Sequence, residues 1–272
     1  MLQATLNSLS FLQGVASTRV IISHDGCRPE TPIDRLQAYE DYFDALQSAA
    51  DWDPSIRVVR LKEWGGLTGN LTAALEMCET PYVLIVQHDL PFTSEVPLRR
   101  IVGAMEMNPD LRCVRFNREA NNAYGFDAFP RSRSRRYRQR DFTSDDGSTV
   151  EFTQTIGWSD NNHVCRVDYY RDIILPLCGR SASFPEDAAN RAASPFLHRL
   201  FGTYIFGGLG MHAVISHLDG REAFDKLPPL PSDRRSKLRL RIRRVLVQIY
   251  FAALKVRYRF AAYGLWLRDR YK

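Results

Sequence analysis

The chain has 272 residues, 44% hydrophobic and 25% charged, which is typical of a soluble globular domain with a large core. Its five cysteines are scattered and form no CxxC pair, which argues against a disulfide framework or a zinc site and predicts reduced, cytosolic thiols. No apolar run reaches the roughly 20 residues that a membrane-spanning helix needs, and the N-terminus lacks the pattern of a signal peptide.

Predicted elements alternate between helix and strand along the first part of the chain. In chain order they are a helix at 2–12, a strand at 19–23, a helix at 33–46, a strand at 56–60, a helix at 67–78, a strand at 82–86, a helix at 96–107 and a strand at 112–116. This alternation predicts an α/β fold with a mostly parallel sheet flanked by helices.

The regular alternation stops after residue 117. Residues 131–140 contain six arginines and are predicted to form an exposed loop. Later strands are expected at 151–156, 164–167, 204–206 and 213–218, with helices at 168–177 and 187–200.

The net charge of +6 is unevenly distributed. Residues 234–272 carry 13 of the 37 Lys and Arg residues and one of the 31 acids, so the rest of the chain is mildly acidic. We therefore divide the chain into a domain at 1–226, a linker at 227–233 and a basic tail at 234–272. The apolar residues of the tail keep helical spacing, which predicts an amphipathic basic helix.

Polar residues follow directly after two of the predicted strands. Asp25 and Gly26 follow the first strand, and Gln87, His88 and Asp89 follow a buried one. Ligands of open α/β sheets bind at the carboxyl ends of strands, where an acid can hold a divalent cation against a diphosphate and glycine permits close approach. An ordinary turn is the alternative for each segment, and for Asp25 and Gly26 taken alone the turn is the favoured interpretation.

Two later segments offer a base and a further metal ligand. Glu186 and Asp187 open a predicted helix; one of them is expected to cap it, which leaves the other to act as a general base. His217 lies at the end of a late predicted strand, where an imidazole can complete a metal site. A purely structural histidine is the alternative.

A polar segment that begins with Trp158 is typical of sugar recognition. Its ring can stack on a sugar, while Asp160 and Asn161 can form hydrogen bonds with hydroxyl groups. The alternative is a polar loop that a single tryptophan anchors.

Taken in order, these segments resemble family-2-like GT-A glycosyltransferases over roughly residues 1–225. The shared order is a strand that ends in Asp-Gly, a helix with Asn70, a strand that ends in an xxD triplet, and a Glu-Asp pair. The resemblance implies a GT-A, Rossmann-like fold. It also implies an inverting transfer of a sugar from a nucleoside diphosphate sugar to a hydroxyl group.

The resemblance also implies a role for each motif. Asp25 is expected to contact the nucleotide, Gln87 the ribose, and Asp89 a Mn²⁺ or Mg²⁺ ion. The acidic pair is expected to supply the base, with Asp187 preferred over Glu186. The residues expected on the donor side are Asp25, Gly26, Asn70, Gln87 and His88.

Two departures from the family pattern keep other functions open. Gln87 stands where the family has an aspartate, and no strand precedes the helix at 2–12. Both features favour the alternative of a non-catalytic carbohydrate- or nucleotide-binding protein. A nucleotidyltransferase is also possible, although no Gly-rich phosphate loop is visible. The acidic domain argues against nucleic acid as a partner.

The expected partners are a nucleotide-sugar donor and a glycan or lipid-linked acceptor of the cell surface. The basic tail is expected to bind an anionic membrane surface, which would place the protein on the cytoplasmic face. The alternative is that the apolar stripe of the tail packs on the domain.

Overall fold

The computed structural model describes residues 1–14, 18–121, 139–155, 157–179, 184–192, 197–218, 252–253 and 255–270. The strands are β1 (Val20–His24), β2 (Ile56–Arg60), β3 (Tyr82–Ile85), β4 (Cys113–Arg115), β5 (Gln139–Thr143), β6 (Thr149–Gln154), β7 (His163–Arg166) and β8 (Thr203–Phe206). The helices are α1 (Leu2–Ser8), α2 (Ile33–Trp52), α3 (Gly66–Glu76), α4 (Leu98–Met107), α5 (Val167–Tyr169), α6 (Leu175–Cys178), α7 (Pro185–Ala192), α8 (His198–Phe201) and α9 (255–270). A 3₁₀ turn at Leu9–Phe11 follows α1, and a π-helical segment at Tyr170–Ile174 joins α5 to α6.

The strands form a parallel pair and a mixed sheet. Strands β1 and β2 pair in parallel, and the second sheet has the order β3-β7-β4-β8-β6-β5. Strand β7 is antiparallel to both β3 and β4, and β4 is parallel to β8, so β3, β4 and β8 run in the same direction. The predicted α/β class, with a sheet flanked by helices, is confirmed.

Hydrophobic clusters cover both faces of the larger sheet. Successive side chains of a strand point to opposite faces. Cys113 and Cys165 accordingly belong to one buried cluster, with α3 and α5–α8, whereas Val114 and Val164 belong to the other, with α4. Because both faces are filled, polar side chains are placed at the strand ends and in the loops that follow them.

Helix α9 packs on the first of these clusters. Ala262 is fully buried in it, and Asp269 binds Arg112 through two hydrogen bonds of 2.6 and 3.2 Å. The side chains of α9 that pack against the cluster besides Ala262 are Tyr258, Leu265 and Trp266. The predicted tail helix is thus confirmed for 255–270, but these residues form part of the domain rather than a separate appendage. The predicted linker 227–233 and the tail residues 234–250 lie outside the described residues.

Three predicted elements differ from the structure. Gln139 and Arg140 belong to β5 and not to a loop, because an exposed edge strand carries a polar sequence. The predicted strand at 213–218 forms a single bridge, in which Ile215 pairs with Phe92, and the neighbouring Pro91 has no N–H to extend the pairing. The predicted helix 187–200 is divided between α7 and α8. Among the described residues, no helix is both long and apolar enough to cross a membrane.

Candidate active site

The segment after β3 is bound to the loop that precedes β7. The backbone N–H of Gln87 donates to Asn162 Oδ1 over 2.9 Å, and its side-chain Nε2 donates to the Asp160 carbonyl over 2.8 Å. Asn162 in turn donates to the Leu90 carbonyl over 2.6 Å. An aspartate in place of Gln87 could not donate, so the glutamine holds this loop in place. The predicted ribose contact of Gln87 stays a prediction.

The buried His163 also holds this loop in place. His163 Nδ1 lies 2.6 Å from the Asn161 carbonyl, and its Nε2 lies 2.8 Å from the Tyr170 hydroxyl. Because a carbonyl only accepts, Nδ1 carries the proton and Nε2 accepts from the tyrosine. Burial lowers the pKa of His163 to about 4, so the ring is neutral near pH 7 and fixes the position of Asn161.

The Asp160 and Glu186 carboxylates lie close enough together for each to act on the pKa of the other. Burial, followed by the neighbouring Asp160 carboxylate, raises the pKa of Glu186 to about 8, and burial also raises the pKa of Asp160. The charge of the buried Arg115 acts in the opposite direction on Glu186. The pair therefore retains a proton at neutral pH and, once it loses that proton, contains an unusually basic carboxylate.

The structure reverses the expected order of the acidic pair on α7. The Asp187 side chain is 63% exposed and lies 4.0 Å from Arg191, one turn along the helix. Glu186 instead faces Asp160. Successive helix residues differ by about 100° in direction, so only one of the two acids can face the loop. Asp187 therefore points away from this loop, and Glu186 is the member of the pair that lies beside Asp160. Which of the two acts as a base stays a prediction.

Trp158 lies in the core and not at a binding surface. Its ring is 1% exposed and contacts His163 and Tyr170, with centroid distances of 5.6 and 6.2 Å. Its backbone N–H and carbonyl both bond to the Asn190 side chain over 2.8 Å. The predicted stacking on a sugar is wrong for this conformation, because no face of the ring is free. The tryptophan anchors the loop.

Asp89 and His217 are brought together at the end of β3. His217 Nε2 lies 3.1 Å from Asp89 Oδ2, and the backbone N–H of Leu218 donates to the Asp89 carbonyl over 3.0 Å. The other carboxylate oxygen, Asp89 Oδ1, is buried and has no hydrogen-bond partner among the described residues. A buried anionic oxygen in this state is suited to a cation.

Asp25 caps the N-terminus of α3. Its Oδ1 accepts from the N–H groups of Gly26 and Gly65 over 2.9 and 2.8 Å, and its Oδ2 accepts from Gly66 over 2.9 Å. A Cβ atom on Gly26 would lie 2.2 Å from the backbone carbon of Glu63. A side chain at position 26 would therefore collide with the backbone at Glu63. The sequence had instead suggested that glycine makes room for a ligand.

The remaining donor-side residues show two different environments. Asn70 accepts from the Ser23 hydroxyl over 2.7 Å and donates to the Gly66 carbonyl over 2.8 Å, which joins β1 to α3. His88 is exposed, and its carbonyl accepts from the Thr5 hydroxyl over 2.8 Å. Asn70 therefore holds β1 against α3, and His88 exposes its side chain to solvent.

Sequence reasoning missed the residues that hold this site in place. Asn162 bonds the backbone of the segment after β3, and Asn190 bonds the backbone of the loop at Trp158. The buried Arg115 acts on Glu186. The spacing of α7 contained one usable signal, because Asn190 follows Glu186 by four residues and so lies on the same helix face. Asn162 and Arg115 gave no such signal, since their roles depend on contacts between distant segments.

Two open clefts, of about 440 and 420 Å³, lie away from this site. The first is lined by residues that include Gly207, Gly208 and Met211, and the second by residues that include Cys78 and Arg166. None of the residues predicted to bind substrate lines either cleft. The candidate site is thus identified from the contacts of its side chains and not from either of these clefts.

No protein-family model and no curated protein sequence matches the chain. Among solved structures, a crystal structure of GalNAc-T7 with UDP, GalNAc and Mn²⁺ is 9% identical, with a TM-score of 0.47 over 88% of this chain and 44% of that chain. A crystal structure of S. aureus TarS 1-349 in complex with UDP is 17% identical, with a TM-score of 0.40 over 79% of this chain and 55% of that chain. The chain spans about half the length of these two structures. Both TM-scores are below 0.5, and the proposal for this chain rests on its own residues.

Proposed function

We propose that the chain is a GT-A type glycosyltransferase. It moves a sugar from a nucleoside diphosphate sugar to a hydroxyl group of a glycan or lipid-linked acceptor, with inversion. The observation that carries the proposal is the carboxylate pair of Asp160 and Glu186. Gln87 joins the loop of this pair to the segment that holds Asp89 and His217. A carboxylate of raised pKa and a carboxylate oxygen suited to a cation are thereby held on one hydrogen-bonded framework.

In this proposal Glu186 is the general base. After the pair loses its proton, Glu186 accepts the proton of the acceptor hydroxyl, whose oxygen forms a bond with the anomeric carbon of the sugar. The bond between that carbon and the diphosphate breaks, and the diphosphate leaves with the electron pair. A single displacement of this kind inverts the configuration at the anomeric carbon. Asp160 keeps Glu186 basic and, with Asn161, is the proposed sugar contact.

The donor diphosphate is proposed to bind through a divalent cation. The buried Asp89 Oδ1 and the neighbouring His217 would hold the ion, and an imidazole ligand favours Mn²⁺ over Mg²⁺. Among the described residues no group of three His, Cys, Asp or Glu side chains could hold a metal, so diphosphate oxygens are expected to complete its coordination. When bound, the cation offsets the negative charge that develops on the leaving diphosphate.

The nucleoside is proposed to lie beside Asp25, with His88 and Asn70 on the same side of the donor. Asp25 already accepts three backbone hydrogen bonds. A carboxylate offers about four acceptor positions, which leaves capacity for a ribose or base N–H or O–H group. Gln87 remains the proposed ribose contact. Its side-chain oxygen would make this contact, because its side-chain nitrogen donates to the loop.

Calorimetric titration with nucleoside diphosphates, with and without Mn²⁺, tests the donor site. The wild-type chain should bind at least one nucleoside diphosphate, and Mn²⁺ should strengthen the binding. Asp89→Ala should remove the Mn²⁺-dependent part and leave the melting temperature close to that of the wild type. Equal affinity in the presence of excess EDTA would rule out the metal, and absence of binding by the wild type would rule out the donor class.

A further inference from the structure

Helix α9 has a second apolar face, on the side opposite to the one that packs on the core. Its members, Val256, Phe260, Tyr263 and Leu267, follow one another at intervals of four, three and four residues and so share one stripe. They are 53%, 74%, 44% and 36% exposed. Single exposed apolar side chains are ordinary, but a stripe of this kind marks an interaction surface. We call it the outer stripe.

Basic side chains flank the outer stripe. At about 3.6 residues per turn, Arg257 and Arg259 lie on either side of Phe260, and both are exposed. Neither takes part in an ion pair between described residues. The one acid of α9, Asp269, faces the domain, where it binds Arg112. The outward side of the helix is therefore apolar along its centre and positive along its edges.

We propose that the outer stripe binds the surface of an anionic membrane, with α9 lying in the interface plane. The apolar and aromatic side chains enter the boundary between headgroups and acyl chains, and the arginines bind lipid phosphates. A second copy of the chain is a poorer occupant. Two-fold pairing of the stripes would bring the exposed arginines of both copies close together, and like charges in an interface are unfavourable.

The contacts of α9 with the domain make this surface rigid. The Arg191 guanidinium lies over the Tyr258 ring at 6.0 Å near one end, and Asp269 binds Arg112 near the other. Arg191 belongs to α7, the helix that also carries Glu186. Binding of the outer stripe therefore fixes the orientation of the whole domain toward the lipid surface. The binding itself does not depend on the proposed transfer reaction.

Vesicle co-flotation without nucleotide or metal tests the proposal on the full chain. The probes are vesicles of phosphatidylcholine mixed with phosphatidylglycerol, and vesicles of phosphatidylcholine alone. Phe260→Ser should lower partitioning onto the anionic vesicles by about tenfold. Combined replacement of Arg257 and Arg259 by Gln should lower it by about 25-fold, because each arginine contributes about fivefold. The matched controls are Trp52→Ser, at an exposed tryptophan of α2, and Arg57→Gln combined with Arg99→Gln.

The proposal predicts binding to anionic vesicles that high salt releases and that neither control weakens. Failure of the wild-type chain to bind anionic vesicles would overturn it. So would equal losses in the stripe variants and their controls. If Phe260→Ser changed the sedimentation of the chain from dimer to monomer, the stripe would bind a second copy. If Phe260→Ser lowered the melting temperature and the wild-type chain did not bind anionic vesicles, another part of the chain would cover the outer stripe.

Discussion

The proton held by the carboxylate pair links the stability of the fold to pH. The pKa of Glu186 rises from 4.5 to about 8 on folding, so the folded chain holds a proton that the unfolded chain releases between these values. The stability contributed by this proton is complete below pH 4.5 and is lost as the pH rises through about 8. Glu186→Gln removes this dependence.

The melting temperature of Glu186→Gln relative to wild type should therefore increase with pH between 4.5 and about 8. Differential scanning fluorimetry of both proteins across this range measures the difference. Asp187→Asn, at the exposed neighbour, should show no such trend. A constant difference between Glu186→Gln and wild type would contradict the buried position of the carboxylate.

Gln87 provides a second test at the residue scale. Gln87→Glu keeps the size of the side chain but places a carboxylate against the Asp160 carbonyl, where the glutamine donates a hydrogen bond. A buried hydrogen bond lost in this way costs about 1–3 kcal/mol. We expect a lower melting temperature and a lower kcat. If only the donor KM rises, Gln87 acts through the ribose and not through the loop.

Individual residues were predicted with mixed success, for reasons of geometry. The position of Asp89 at the end of β3 was predicted, and the structure places it beside His217; its role as a metal ligand stays a prediction. Glu186 and Asp187 are adjacent in sequence, and only the rotation of α7 decides which of them faces Asp160. Trp158 was assigned to a sugar because it borders a polar segment, although a large ring also anchors a loop. Which occurs depends on residues far away in sequence.

At the scale of elements, substitutions in α9 can test whether this helix packs on the core of the domain. Ala262 is fully buried against the core, whereas its neighbour Ala261 is exposed on the same helix. Ala262→Leu should lower the free energy of unfolding by about 1–3 kcal/mol through overpacking, whereas Ala261→Leu should change it little. Urea unfolding of both variants measures this. Equal values would show that α9 is not docked on the domain.

The elements that sequence reasoning found are those with strong local patterns. The buried strand β3 has a continuous apolar run, and α4 has clear helical periodicity. Strand β5 was missed because it lies at the sheet edge, where exposed polar residues give no alternation. The position of α9 was left open, since an amphipathic stripe does not specify whether it faces a core or a membrane.

At the scale of the whole molecule, the loop before β7 connects separate parts of the site. Gln87 and Asn162 tie it to the end of β3, and Asn190 ties it to α7. These bonds hold the proposed base and the proposed cation ligands in one framework while the two hydrophobic clusters keep the sheet rigid. The proposed site is thus built from loops and from helix α7 around a rigid sheet.

The release of nucleoside diphosphate from a panel of nucleotide sugars, with Mn²⁺ present, tests the central claim most directly. The wild-type chain should hydrolyse or transfer at least one donor, with kcat/KM rising as the pH approaches about 8. Glu186→Gln should lower turnover by about 100-fold or more, while Asp187→Asn stays close to wild type. Loss of turnover in Asp187→Asn with full activity in Glu186→Gln, or no reaction of the wild type with any donor, would contradict the account.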